Sequence, residues 1–328
     1  MSIITGKSVV VTGGVGSFGQ AFVRRLLEMP AGPKRICIFS RDEYKQGVLR
    51  AELGNDPRLR WFLGDVRDPE RLKTAFHGAD LVVHAAAMKQ VPACEDNPFE
   101  CFETNYSGSV NVIRAAIACH VPRVIGLSTD KAVQPCTTYG ASKLAMERAF
   151  VNGNAVSVGV SKLSCTRYGN VQDSRLSVLP VWRASIARGE PITVTDPEAT
   201  RFHMEQREAV DLVLLAASWM QGGEIFVPKL PAYRLSDLVD SVAGPNYPRT
   251  TVGLRATEKK HETLISPDEV RLTRDFGDHY RVLPARHSWR DNGTAQDGEA
   301  LPPGFVYRSD TVRLIGDALK ELAEERCL

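Results

Sequence analysis

The sequence predicts an α/β chain built on a doubly wound parallel sheet, with a smaller mixed unit toward the C-terminus. Three observations carry that expectation. Short β-rich apolar runs alternate with segments of helical periodicity through the N-terminal part of the chain. The first of these runs opens directly into a glycine-rich turn and then a helical pattern, Thr12-Gly13-Gly14-Val15-Gly16-Ser17-Phe18-Gly19. Past Pro228 the texture changes to short elements, more proline and isolated charges.

Bulk composition narrows the class. A chain of 328 residues is long enough for one large domain or two modest ones sharing a core. Hydrophobic residues at 43% and charged residues at 24% are ordinary for a soluble globular protein. A net charge of +2 gives no reason to expect nucleic acid or an anionic membrane as partner. No apolar run is long enough to span a bilayer and the N-terminus lacks a signal-peptide pattern, so a cytoplasmic protein is expected. The seven cysteines are odd in number and lack C-x-x-C spacing, which suits reduced thiols. The seven histidines form no ligand-spaced cluster, so no metal is expected.

Residues 7–12 form the first expected strand. Gly14, Gly16 and Gly19 match G-x-G-x-x-G, and Gly13, Gly16 and Gly19 match the longer variant. Glycines there let the chain turn tightly and let backbone approach a pyrophosphate at the start of the following helix, residues 20–28. Gly13, Gly16, Ser17, Phe18 and Gly19 are therefore candidate dinucleotide-binding residues. The strand 34–39 ends at Ser40, with Arg41 next and Lys45 four residues on. An NAD site usually places an acid here. Two cations and a hydroxyl suit a 2′-phosphate instead, so NADP is expected, with Asp42 keeping NAD possible.

The strand 60–63 runs into Gly64-Asp65-Val66, a turn that would pass the adenine, with Asp65 accepting from its amino group. The strand 79–86 ends in small residues, and Ala86 and Ala87 leave room for a cofactor to cross. A helix follows over 100–119, with Asn105 facing the loop side. The order expected to this point is β-α-β-α-β-β-α-β-helix, the pattern of a parallel sheet covered on both faces.

Residues 121–127 form a further buried strand, and the stretch from Ser128 to Lys143 follows it. Asp130 and Lys131 lie just past the strand's carboxyl end, where ligands bind in open α/β sheets. Tyr139 and Lys143 have i, i+4 spacing, so they share one face of the helix expected at 141–150. A lysine beside a tyrosine favours the phenolate and makes Tyr139 a usable acid or base. Then come a strand at 162–167, a short strand outside the first sheet at 192–195, a helix at 207–220 and a strand at 224–227. Residues 285–304 are expected to be an exposed loop and 311–325 an amphipathic helix. Residues 1–167 with about 203–228 would form the dinucleotide-binding domain, and about 168–202 with 229–328 the substrate-binding domain.

Together these motifs resemble the extended short-chain dehydrogenase/reductases, a Rossmann-type family. Within it the match is nearest to the inverting UDP-N-acetylglucosamine 4,6-dehydratases. The resemblance rests on Ser40-Arg-Asp-Glu43, Ala86-Ala-Met-Lys-Gln-Val-Pro92, Ser128-Thr-Asp-Lys-Ala132, Gly169-Asn-Val171, Thr200-Arg-Phe202 and Glu258-Lys-Lys-His-Glu262. Thr-Asp-Lys is the specific part, because other sugar dehydratases of this fold usually carry an acidic pair there. The chain departs from the family at Asp173 and Leu176, where glycines are usual in a loop near the sugar nucleotide.

The resemblance implies a homo-oligomeric enzyme of polysaccharide biosynthesis acting on a nucleotide sugar. Tyr139 would take the 4-hydroxyl proton, with Lys143 holding the phenolate. Lys131, its pKa lowered, would remove the C5 hydrogen, and Asp130, its pKa raised, would protonate the departing C6 hydroxyl. Thr129 would bond a sugar hydroxyl, and Lys89, Asn170, Arg201 and Glu258 would serve substrate binding. A 4-epimerase or reductase of the same fold would need Tyr139 and Lys143 but no Asp-Lys pair. A non-catalytic NADP-binding protein would need neither pair.

Overall fold

The computed structural model describes residues 3–171, 178–285 and 298–315, together with Leu319. Its centre is one ten-stranded sheet. Six parallel strands come first in the chain: β1 (Ser8–Thr12), β2 (Arg35–Ser40), β3 (Leu59–Leu63), β4 (Leu81–His84), β5 (Arg123–Leu127) and β6 (Lys162–Thr166). They lie in the spatial order β3-β2-β1-β4-β5-β6, and the strand Ile225–Pro228 adds in parallel beyond β6. Three antiparallel strands, His279–Val282, Thr273–Asp275 and Glu299–Ala300, complete that edge.

The strands are apolar because both faces are covered. Val9, Val10, Val11, Ile36, Ile38, Val82, Val124 and Ile125 are wholly buried. A smaller cluster around Trp182, Ile192, Val194, Tyr233, Leu235 and Val239 forms a second core. It packs beneath two short pairs, Ile192–Val194 with Arg249–Thr251 and Thr200–Phe202 with Ala232–Arg234. No helix among the described residues is long and apolar enough to cross a membrane.

Four expectations need correction. β3 does not pass straight to β4, because the helix Pro69–Phe76 lies between them. Its start is legible in retrospect: Asp68 accepts from the Glu70 and Arg71 amides, and Pro69 sits where its missing N–H costs nothing. The single helix expected at 100–119 is three pieces, Pro98–Phe102, a widened π turn at Glu103–Ser107, and Gly108–Ala118. The polar run expected at 285–304 contains an edge strand, Glu299–Ala300, while residues 286–297 lie outside the described set. Residues 311–315 are not the start of a helix; Ile315 donates to the Ala232 carbonyl, and Leu314 bridges to the same residue. Leu319 is helical and buried.

Strand order reverses between β1 and β4, whose carboxyl ends therefore diverge into loops on opposite sides. That is where an open parallel sheet leaves a crevice. The turns after β1, β4, β5 and β6 all reach it.

Candidate active site

The turn after β1 is tight. A Cβ on Gly13 would come within 2.7 Å of the Ala86 nitrogen, and one on Gly19 within 2.5 Å of the Gly13 carbonyl. Gly13 also has φ +68°, a conformation that favours glycine. The helix Ser17–Glu28 begins at Gly16 with no side-chain cap and no acid in its first turn. No carboxylate at that helix start opposes an anion, and the helix dipole favours one, as a pyrophosphate requires.

From this turn a cleft of about 860 Å³ runs across the carboxyl edge of the sheet. It brings together Gly13, Gly16, Ser17, Phe18, Gly19, Ala87, Thr129, Lys131, Tyr139 and Lys143 with Lys89, Asn170, Arg201 and Glu258. Ser40, Arg41, Lys45, Asp65, Val66 and Ala86 do not line it. Ala86 follows β4 and backs the Gly13 turn, while the other five form a neighbouring group at and past the ends of β2 and β3. There Asp65 forks both oxygens onto Arg67, at 2.9 and 3.1 Å, with Arg41 at 3.5 Å. Burial raises the Asp65 pKa, but the Arg67 contacts outweigh it and hold the carboxyl below its ordinary value. Asp42 caps the next helix through the Lys45 amide and ion-pairs the Lys45 ammonium. Ser40 is buried, and its hydroxyl accepts from the Asp42 amide at 3.3 Å.

Tyr139 and Lys143 sit on the helix Thr138–Ser157, which Thr137 caps by accepting from the Gly140 amide. Gly140 has to be glycine, since a Cβ would lie 2.2 Å from the Lys131 carbonyl. This close approach seats the Tyr139 helix against the turn carrying Asp130 and Lys131. Asn105 holds the other side: it accepts from the Met88 amide at 2.8 Å and donates to the Ser142 hydroxyl at 2.9 Å. So Asn105 is buried and faces the loop bearing Lys89, which it pins to the Tyr139 helix.

The electrostatics differ from expectation in two places. Burial, reinforced by Asp130, pushes the Tyr139 phenol up to about 12, and Lys131 is the cation that opposes the shift. Lys143 donates to the Met146 sulfur at 3.2 Å, and burial pulls its pKa down to about 8. The pKa of Lys131 is raised, not lowered. Burial pulls it down, but the Asp130 and Glu262 carboxylates overcome burial and Arg201. Its ammonium lies 3.1 Å from Asp130 Oδ1, 3.2 Å from Glu262 Oε1 and 3.4 Å from Asn170 Oδ1. Burial does raise the Asp130 pKa, with Lys131 opposing.

Asp130 is wholly buried beneath the cleft; the Thr129 hydroxyl, which lines it, donates to Asp130 Oδ1 at 2.8 Å. Glu262 is the residue that sequence reasoning passed over. It stood at the end of the Glu258-Lys-Lys-His-Glu262 stretch, but nothing local linked it to Lys131. Arg201 is fixed by Glu258 at 2.7 Å and by the Thr200 and Lys260 carbonyls at 2.9 and 3.0 Å. His84 lies under the floor between Thr12 and Ser109, its pKa lowered by burial to about 3, so it stays neutral. Asp173 and Leu176 lie outside the described residues. No cluster that could hold a metal occurs among the described residues.

Known proteins resemble this chain along most of its length. Residues 9–284 match the family described as "Polysaccharide biosynthesis protein". A UDP-N-acetylglucosamine 4,6-dehydratase (inverting) of Campylobacter jejuni is 42% identical, over 97% of this chain and 96% of its own length. A UDP-glucose 4-epimerase of Rickettsia canadensis is also 42% identical, over 84% of this chain and 82% of its own. Among solved structures, Pen from Bacillus thuringiensis superposes with a TM-score of 0.87 at 33% identity, covering 98% of both chains. The dTDP-glucose 4,6-dehydratase DesIV of Streptomyces venezuelae, solved with NAD and TYD bound, shares the fold at a TM-score of 0.70 and 23% identity, over 77% of this chain and 86% of its own. With the glycine turn, the Tyr139–Lys143 helix and the reversed strand order in one cleft, the chain belongs to the polysaccharide biosynthesis protein family, on the extended short-chain dehydrogenase/reductase fold.

Proposed function

We propose that the chain is a UDP-N-acetylglucosamine 4,6-dehydratase that uses NADP and inverts C5. The observation that carries this reading is the ion pair of buried Asp130 with part-buried Lys131, beside Tyr139 and Lys143. Epimerisation at C4 needs a proton acceptor at the C4 hydroxyl and nothing more. A second acid–base pair at the same cleft suits removal of water across C5 and C6, which needs one proton taken and another supplied.

The residues fit a nicotinamide dinucleotide. Gly13, Gly16 and Gly19 make the close turn, and the open helix start at Gly16–Ser17 receives the pyrophosphate. NADP over NAD is supported by Asp42, whose capping bond and Lys45 ion pair occupy the acid that NAD's ribose would want. Arg41, more than half exposed at the end of β2, offers a cation to a 2′-phosphate. Held at that turn, the cofactor would supply the hydride chemistry, an acceptor for the C4 hydride and its donor at C6, and its positive ring would favour the Tyr139 phenolate.

The chain's own groups do the rest. Tyr139 takes the C4 hydroxyl proton. The resulting C4 ketone acidifies the C5 hydrogen, which Lys131 receives. Asp130 supplies the proton that leaves with the C6 hydroxyl, through the Thr129 hydroxyl that touches both it and the cleft. A proton then returns to C5 from the opposite face. Arg201, held rigid by Glu258, and Lys89 present fixed positive charge to the diphosphate.

The test is the order of the steps. Lys131→Ala should still let substrate reduce the nicotinamide, seen as near-ultraviolet absorbance, while releasing no 4-keto-6-deoxy product. Asp130→Asn should stall at the same point. Normal turnover by Lys131→Ala would remove the pair from the mechanism.

A further inference from the structure

Lys131 cannot accept a proton while it is an ammonium held between Asp130 and Glu262. Something must take one of its protons. Two carboxylate oxygens in this cluster are buried and have no hydrogen-bond partner among the described residues: Asp130 Oδ2 and Glu262 Oε2. Asp130 already has a task as the proton donor to the C6 hydroxyl. Glu262 has none. It is 3% exposed, its amide donates to the Ser309 hydroxyl at 2.9 Å, and its Oε1 lies 3.2 Å from Lys131 Nζ. It does not line the main cleft. It lines a smaller adjoining cavity of about 160 Å³ that also touches Lys131.

We propose that Glu262 is the proton partner of Lys131, taking an ammonium proton as Lys131 receives the one from C5. The inference rests on the dehydratase reading and extends it. The C5–H bond breaks and its electron pair becomes the C5–C6 double bond as the C6–O bond breaks. One Nζ proton passes to Glu262, and the lone pair this frees on Lys131 Nζ takes the C5 proton. The Asp130 proton leaves in the water. Lys131 is thus an ammonium before and after the step, Glu262 becomes neutral and Asp130 becomes a carboxylate. Glu262 touches no substrate and acts through Lys131, so it is a positioning residue in the strict sense.

The surroundings suit the role. Lys131, Arg201 and Lys259 are the cations that face Glu262, and Asp130 is the other acid of the cluster. Burial raises the Glu262 pKa, but those cations outweigh it and keep it ionised before the step. It therefore starts as the base the step needs. The fold brings Glu262 to Lys131 from 131 residues further along the chain (262 − 131).

The experiment compares the intact enzyme with Glu262→Gln and Glu262→Asp in D₂O, with UDP-N-acetylglucosamine. Two signals are followed: nicotinamide reduction, and deuterium at C5 with loss of water, read by mass spectrometry. Glu262→Gln should reduce the cofactor within a few-fold of the parent yet incorporate C5 deuterium about 10²–10⁴-fold more slowly. Raising the pH should restore part of that rate, because Lys131 can then lose its proton to solvent. Glu262→Asp should recover an intermediate rate, which a misfolded site would not.

The alternative has the opposite sign. If Glu262 merely holds Lys131 in place, removing its charge lowers the lysine pKa and makes the neutral amine easier to form. Deuterium incorporation in Glu262→Gln at the parent's rate or faster, with the parent dehydrating normally, would overturn the inference and leave the dehydratase reading standing. Loss of cofactor reduction in both variants would overturn it too, since Glu262 would then serve the whole site. A parent enzyme that removes no water from this substrate would sink the reading and the inference together.

Discussion

At the residue scale the site is a contest between burial and charge. Tyr139 is pushed up to about 12 by burial, and Lys131 works against that. Tyr139→Phe keeps the ring and loses the hydroxyl. It should bind cofactor normally and slow nicotinamide reduction by roughly 10²–10⁴-fold, the usual worth of a placed acid–base group. Stopped-flow absorbance after mixing with substrate checks this, and a change of only a few-fold would make Tyr139 structural. Asp130 carries a stability cost with a definite sign. Its pKa is raised by burial, so above the ordinary value of 3.8 the folded protein holds a proton that the unfolded chain has released. Stability therefore falls with rising pH from there until the folded carboxyl ionises. Asp130→Asn should flatten that slope and raise neutral-pH stability by roughly 0.5–2 kcal/mol while abolishing water loss. Urea melts across the acid-to-neutral range measure it; an unchanged slope would contradict the assignment.

At the element scale the strands that build the crevice were legible and the pieces joining them were not. β1, β2, β4 and β5 announce themselves as largely apolar runs, because both faces of the sheet are covered there. The helix Pro69–Phe76 was missed although Asp68-Pro69 is an ordinary helix start, because its eight residues are too few for periodicity to stand out. The three antiparallel edge strands are two to four residues long and were equally hidden. Glu262 illustrates a different limit, since pairing across such sequence distance is a property of topology alone. Two further expectations belong to elements. The turn after β2 should prefer NADP, and Arg41→Ala should remove most of that preference, about 1.5–3 kcal/mol for a charge-assisted phosphate contact. The lower end is expected, because Arg41 is largely exposed and shares Asp65 with Arg67. Equal affinity of the parent for NAD and NADP, by calorimetric titration, would contradict it. The end of β6 is tied down by Arg167, fully buried between Glu147 at 2.7 Å and Glu269 at 2.8 Å. Arg167→Ala strands two carboxylates and should cost about 3–5 kcal/mol in a denaturant melt.

At the scale of the whole molecule, the reversal of strand order between β1 and β4 puts the glycine turn and the Asp130–Lys131 turn at one crevice. The chain after Pro228 then supplies the other wall, with Glu258 and Glu262 reaching back to Arg201 and Lys131. The motifs of the first half were readable as chemistry because each is local: a turn, an i, i+4 pair, a strand end. The second half was readable only as a change of texture, since its residues act through partners distant in sequence. The account stands on the product. Pure protein incubated with UDP-N-acetylglucosamine and NADP, followed by mass spectrometry, should yield a nucleotide sugar lighter by one water. An isomer of unchanged mass, or unaltered substrate, would contradict it.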